Sequence, residues 1–127
     1  MINLIYIALG GCFGAVTRYL VSKGVHQFLS PSFPWGTLIV NASGSFLIGF
    51  LYFLFQETLV PTGLRSFILV GFIGAYTTFS TYSLETINLL KEGEIKFAII
   101  NIVLSNILGL VLVIAGFYCA KLVLKII

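Results

Sequence analysis

The sequence predicts an all-α membrane protein with four transmembrane helices, the third broken near its centre. Three observations carry that reading. Charged residues make up only 9% of the 127 residues against 59% hydrophobic, whereas a soluble domain carries about 25% charged residues. Residues 35–55, 66–84 and 97–120 contain no Asp, Glu, Lys or Arg, and residues 2–21 contain only Arg18. Each stretch reaches or approaches the roughly 20 residues that a helix needs to cross a hydrocarbon core about 30 Å thick. The polar surface of a water-soluble fold is missing, which excludes a soluble enzyme. Residues 1–127 read as one transmembrane domain with spans near residues 2–28, 35–55, 64–90 and 97–120.

In the first span, Gly10, Gly11, Gly14 and Ala15 recur at helical spacing, and small residues let helix backbones approach closely in lipid. Residues 1–9 lack a basic n-region and Arg18 follows the apolar run, so a retained helix is expected rather than a signal peptide. Ser30, Pro31, Ser32 and Pro34 stop the helix and start a turn, and Trp35 stands where an interfacial aromatic anchor belongs. The second span places Asn41, Ser45 and Gly49 four residues apart on one face. A short loop with Pro61 leads to the third span. Its centre, residues 71–83, holds Gly71, Gly74 and five Ser/Thr residues, so the stretch from Gly71 to Thr78 is the candidate break. Carbonyls freed at membrane depth must be satisfied by protein, water or a bound cation. Tyr76, Phe79 and Tyr82, spaced by three, predict an aromatic stripe beside Ser80 and Ser83. The fourth span is the most apolar yet contains Asn101, Ser105 and Asn106.

Short loops make consecutive helices antiparallel neighbours. One membrane face then carries Arg65, Lys121, Lys125 and the terminal amine, and the other Arg18, Lys23, Lys91 and Lys96. The Lys/Arg bias that normally orients a membrane protein is therefore balanced. Insertion both ways follows, with an antiparallel two-fold homodimer as its product; the alternative is a weakly specified single topology.

The seven basic residues are scattered, which gives no footprint for nucleic acid. Cys12 and Cys119, in apolar segments, indicate neither a disulfide framework nor a zinc site. No nucleophile, paired carboxylate or phosphate loop supports enzymatic chemistry, and the lone His26 reads as interfacial. Arg18, near one surface, is able to snorkel and would concentrate anions at a pore mouth. Glu85 is the one acid within the long apolar segments and requires a hydrogen-bonding partner there. Electropositive ring edges flanked by hydroxyls and amides make a path that attracts a small anion without trapping it.

Three blocks carry a family resemblance: GGCFGAVTRY over residues 10–19, GTLIVNASGSFLIG over residues 36–49 and GFIGAYTTFSTYSLE over residues 71–85. They resemble, in order and over essentially the whole chain, the CrcB/Fluc family of fluoride channels. The resemblance implies a dual-topology antiparallel homodimer in the bacterial inner membrane, with two narrow pathways that passively release cytoplasmic fluoride and so confer fluoride resistance. It also implies residue roles. Asn41 matches the pore asparagine, and Phe79 and Tyr82 match the two pore phenylalanines. Ser80, Thr81 and Thr37 match the hydroxyl track, and Arg18 and Glu85 match the vestibule positions. The backbone carbonyls of Gly74 and Thr77, from both subunits, would hold a structural Na⁺ at the dimer centre; no organic cofactor is implied. The chain departs from the family pattern at Tyr82, where phenylalanine is usual, and at Ala75, where glycine is common. Two other functions fit a small membrane protein of this kind. One is a dual-topology proton-coupled multidrug-type transporter using Glu85, and the other is a non-conducting structural subunit.

Overall fold

The computed structural model describes residues 2–126, in which every regular element is helical: α1 (Ile2–Phe28), α2 (Trp35–Glu57), α3 (Thr62–Arg65), a π-helical segment (Ser66–Ile73), α4 (Gly74–Tyr76), α5 (Phe79–Lys91) and α6 (Ile95–Ile126). The terminal amine counted in the charge balance lies outside the described residues. Four helical stretches, Asn3–Phe28, Trp35–Glu57, Thr62–Lys91 and Ile95–Ile126, are long and apolar enough to cross a membrane. The chain is a multi-pass membrane protein, and its third span is interrupted as expected.

The interruption lies at Thr77 (φ −81°, ψ 156°) and Thr78 (φ −148°, ψ 118°), not at the glycines. Gly71 and Gly74 keep helical backbone, and at Gly71 the missing side chain serves packing. A Cβ on Gly71 would collide with the Ile7 carbonyl, and Cβ atoms on Gly10 and Gly14 would collide with the carbonyls of Phe67 and Phe72. Backbone therefore lies directly on backbone where α1 meets the third span. The same device joins α2 to α6, the most extensive helix pair in the fold. Gly49 faces the Val113 carbonyl and Gly116 faces the Phe46 carbonyl, each at a distance that admits no side chain.

The C-termini of α2 and α5 are satisfied by specific contacts. The Arg65 guanidinium donates to the Phe55 carbonyl and Thr58 Oγ1 donates to the Leu54 carbonyl at 2.6 Å, covering acceptors that the C-terminus of α2 leaves unpaired. Helix α5 closes with Glu94 N–H donating to the Leu89 carbonyl (2.8 Å) and Gly93 N–H to the Leu90 carbonyl (3.2 Å). Gly93, at φ +81°, takes the left-handed position that this paired cap requires. Helix α6 runs beyond the uncharged residues 97–120 at both ends. Apolar composition marks the hydrocarbon core, whereas helical hydrogen bonding continues through the exposed Lys96, Lys121 and Lys125, side chains long enough to snorkel.

Gly49→Ala is expected to destabilise the protein by about 1–3 kcal/mol, because α2 and α6 must separate or deform. Gly24→Ala, where a Cβ meets nothing within 4 Å, should be neutral or stabilising by up to about 1 kcal/mol through helix propensity. Thermal unfolding in detergent checks the pair; equal losses at both positions would refute backbone contact as the reason for Gly49.

Candidate functional site

The site grows from the break. A continuous helix would pair the Thr78 N–H with the Gly74 carbonyl and the Thr81 N–H with the Thr77 carbonyl. Here the Thr78 N–H donates to Asn41 Oδ1 (2.7 Å), and Asn41 Nδ2 donates to the Thr78 carbonyl (2.9 Å). One side-chain amide thus satisfies both polar groups of a peptide residue in extended conformation. Thr78 then starts α5 as its N-cap, its Oγ1 accepting from the Thr81 N–H at 3.2 Å, the usual role of threonine at a helix start. The Thr78 hydroxyl also donates to Thr81 Oγ1 (3.0 Å) and lies 3.3 Å from Ser80 Oγ.

Two cavities meet at these residues, and a third lies beyond them. The first, about 340 Å³, is lined by Asn41, Gly44, Ser45, Gly74, Thr77, Thr78 and Phe79 among others. The second, about 240 Å³, is lined by Arg18, Ser22, Thr37, Thr78 and Thr81 with neighbouring apolar residues. The third, about 360 Å³, holds Glu85 with His26, Ser32, Asn88, Glu92 and Glu94. Thr78 borders the first and second cavities. A hydrogen bond from Thr37 Oγ1 to Glu85 Oε1 at 2.8 Å links the linings of the second and third. Glu85 Oε2 is buried with no hydrogen-bond partner among the described residues, so half of this carboxylate is unanswered. The three spaces are open clefts that follow one another from the break at mid-span to the loop acids at one end, the first mainly apolar in its lining and the third the most polar.

The structure places Arg18, Thr37 and Thr81 together on the second cavity, Asn41, Gly74, Thr77 and Phe79 on the first, and Glu85 at the junction with the third. Ser80 is exposed beside Thr78. Phe79 is 77% exposed, and its ring lies 5.5 Å from that of Tyr82 at an interplanar angle of 46°. The aromatic stripe is shorter than its spacing implied. Tyr76 precedes the break, so its phase is lost; it is buried, stacks on Phe72 and pairs with Ser43 Oγ at 2.9 Å. Thr78, the residue that joins two cavities and caps α5, was legible only as an N-cap signal ahead of a renewed helix. A second polar ladder had no such signal. Asn101 Nδ2 donates to Thr86 Oγ1 (3.0 Å), and Ser105 Oγ donates to Asn101 Oδ1 (3.2 Å).

Comparison with known proteins matches residues 5–117 to the family described as CrcB-like protein, Camphor Resistance (CrcB). The chain is similar to the "Fluoride-specific ion channel FluC" of Magnetococcus marinus, with 44% identity over 95% of this chain and 99% of the relative. Its similarity to the protein of the same name from Salinibacter ruber is 48% identity over 98% of this chain and 93% of the relative. For that of Shewanella putrefaciens the figures are 48%, 91% and 94%. These names lend no support to a coupled exporter. With residues 5–117 matched and identities of 44% and 48% to full-length relatives, the chain belongs to the CrcB family.

Proposed function

We propose that this protein is a fluoride-selective channel that lets fluoride leave the bacterial cytoplasm passively, through two pathways in an antiparallel pair of inverted copies. The observation that carries the reading is the line of three clefts, bearing the side chains of Asn41, Thr78, Thr81 and Glu85, along a membrane-spanning chain whose relatives are named fluoride-specific ion channels. Fluoride is small and tightly hydrated, so a selective path must replace water with closely spaced donors. Ser80, Thr81 and the remaining N–H of Asn41 supply such donors, whereas the Thr37 proton is already given to Glu85, and the Phe79 ring offers an electropositive edge. A negative-inside potential drives an anion outward by about 2.3 kcal/mol per 100 mV, which makes pumping unnecessary. The first cavity opens at the surface of a single chain beside exposed Gly74 and Phe79, which favours a second copy as its missing wall.

The family resemblance also implies a structural Na⁺, and the residues present fit it. The donors that a continuous helix would aim at the Gly74 and Thr77 carbonyls are turned to Asn41 Oδ1 and Thr78 Oγ1 instead. Hard carbonyl oxygens of this kind suit an alkali cation. Gly74 and Thr77 would hold the ion by their backbone, and its contribution would be a fixed charge that braces the break.

Liposomes containing the purified protein, with voltage clamped by a potassium ionophore, should lose fluoride rapidly and retain chloride; retention of both would overturn the channel reading. Glu85→Gln keeps an acceptor for Thr37 and places an N–H at the unpaired position. Fluoride efflux should persist in this variant within about tenfold, whereas a proton-coupled exporter would lose its activity entirely. Purification with N-methylglucamine in place of sodium should lower the thermal midpoint, and NaCl should restore it. An ion present at 100 times its Kd adds about 2.7 kcal/mol, and an unchanged midpoint would argue against the cation.

A further inference from the structure

The turn that leads into the break is anchored by a residue outside the three cavities. Tyr76 ends α4, is 5% exposed and lines none of them. Ser43 Oγ lies 2.7 Å from the Ile39 carbonyl on its own helix and 2.9 Å from the Tyr76 hydroxyl. A carbonyl only accepts, so the serine proton goes to Ile39 and the phenol donates to Ser43. The Tyr76 ring lies nearly parallel to that of Phe72, at 5°. The next residue on α2 is Gly44, where a Cβ would collide with Thr77 Cγ2 and stand 3.2 Å from Tyr76 Cδ1. Helix α2 therefore receives the break at both ends. Ser43 and Gly44 seat Tyr76 and Thr77 at its start, and Asn41 pairs with Thr78 at its finish.

We propose that Tyr76 is a positioning residue whose hydrogen bond to Ser43 sets the Gly74 and Thr77 carbonyls for the structural cation, as the upstream counterpart of the Asn41 clamp. The inference rests on the sodium reading and goes beyond it by naming the side chains that keep that site in shape. Gly74 and Thr77 flank Tyr76 in the chain, two residues before it and one after, so a rotation of this turn about its axis swings both carbonyls. Asn41 does not prevent such a rotation, because its bonds fix the peptide groups of Thr78. Thr77 is tied to the anchored turn, its N–H and its Oγ1 each donating to the Ile73 carbonyl at 3.1 Å. With the phenol bonded, the carbonyls stand ready before an ion arrives. Without it the turn is free to relax, and part of the binding energy goes into restoring it.

The test follows thermal unfolding of the full-length protein in detergent across a sodium titration, with total salt held constant by N-methylglucamine. The apparent sodium Kd is fitted to the rise of the midpoint. Tyr76→Phe keeps the ring and its stacking and removes only the donor, so this Kd should increase about fivefold, the equilibrium equivalent of one ordinary hydrogen bond. Ser43→Ala should raise it similarly, and the two together no more than either alone, because both remove the same contact. Tyr52→Phe takes the same atom from a ring 51% exposed on α2 and should leave the Kd unchanged. A packing role alone would lower the midpoint equally at every sodium concentration and leave the Kd in place. That result overturns the proposal, as do additive shifts from Tyr76→Phe and Ser43→Ala. A parent whose midpoint ignores sodium overturns the cation reading and this proposal together. A parent that responds to sodium, with a Tyr76→Phe variant of the same Kd, overturns this proposal alone.

Discussion

The fold turns on one amide. In hydrocarbon an unpaired peptide group costs several kcal/mol, so a transmembrane helix breaks only where something else supplies the lost hydrogen bonds. Asn41 supplies both for Thr78, as donor and as acceptor. Every notable feature of the site follows from that pairing. It holds Thr77 and Thr78 in extended backbone and lets α5 start afresh from its own N-cap. It also removes the ordinary partner of the Gly74 carbonyl. Asn41 is thus spent largely on the backbone, and of the hydroxyls that the redirected α5 presents, Thr81 lines the second cavity while Ser80 is exposed beside Thr78.

A break of this kind needs a frame that does not yield when it opens. Apolar side chains gain little from meeting one another in lipid, so helix association depends on close packing and polar contacts. The protein uses both and keeps them apart. Glycines lay α1 on the first half of the third span and α2 on α6, backbone against backbone. Helix α5 has no such glycine contact and is held to its neighbours by polar pairs: Thr37 with Glu85, Asn101 with Thr86 and Asn106 with Tyr82. The half of the third span that carries most of the candidate pathway is therefore the half whose position is set by hydrogen bonds.

Such a division explains which parts of the structure were legible in the sequence. The spans were visible because the bilayer imposes a length and a composition on every helix, and the glycine faces because only the smallest residue permits contact between backbones. The break was visible as a region but not as a position. Glycine is a poor helix former in isolation, yet Gly71 is held helical by its packing on α1. The extended residues are two threonines, whose conformation is set by Asn41, thirty-seven residues earlier. Tyr76 was misplaced for the same reason, since a periodicity of three holds only while the helix is continuous. Cross-helix partners such as Asn106 and Tyr82 leave no trace in local pattern, because nothing in either span's own periodicity refers to the other.

Charge is distributed with the same economy. Arg18 borders the middle chamber, Glu85 stands at its exit, and His26, Glu92 and Glu94 line the space nearest the loops. The first chamber, beside the break, has no ionisable side chain among the residues lining it. A fixed cation at that depth would hold a fluoride ion too strongly to let it go, and a fixed anion would exclude it. Neutral dipoles avoid both, because a hydroxyl or amide attracts an anion only at short range and only in one direction. Such a path discriminates by distance: an ion small enough to touch several donors at once recovers its hydration energy, and a larger one does not.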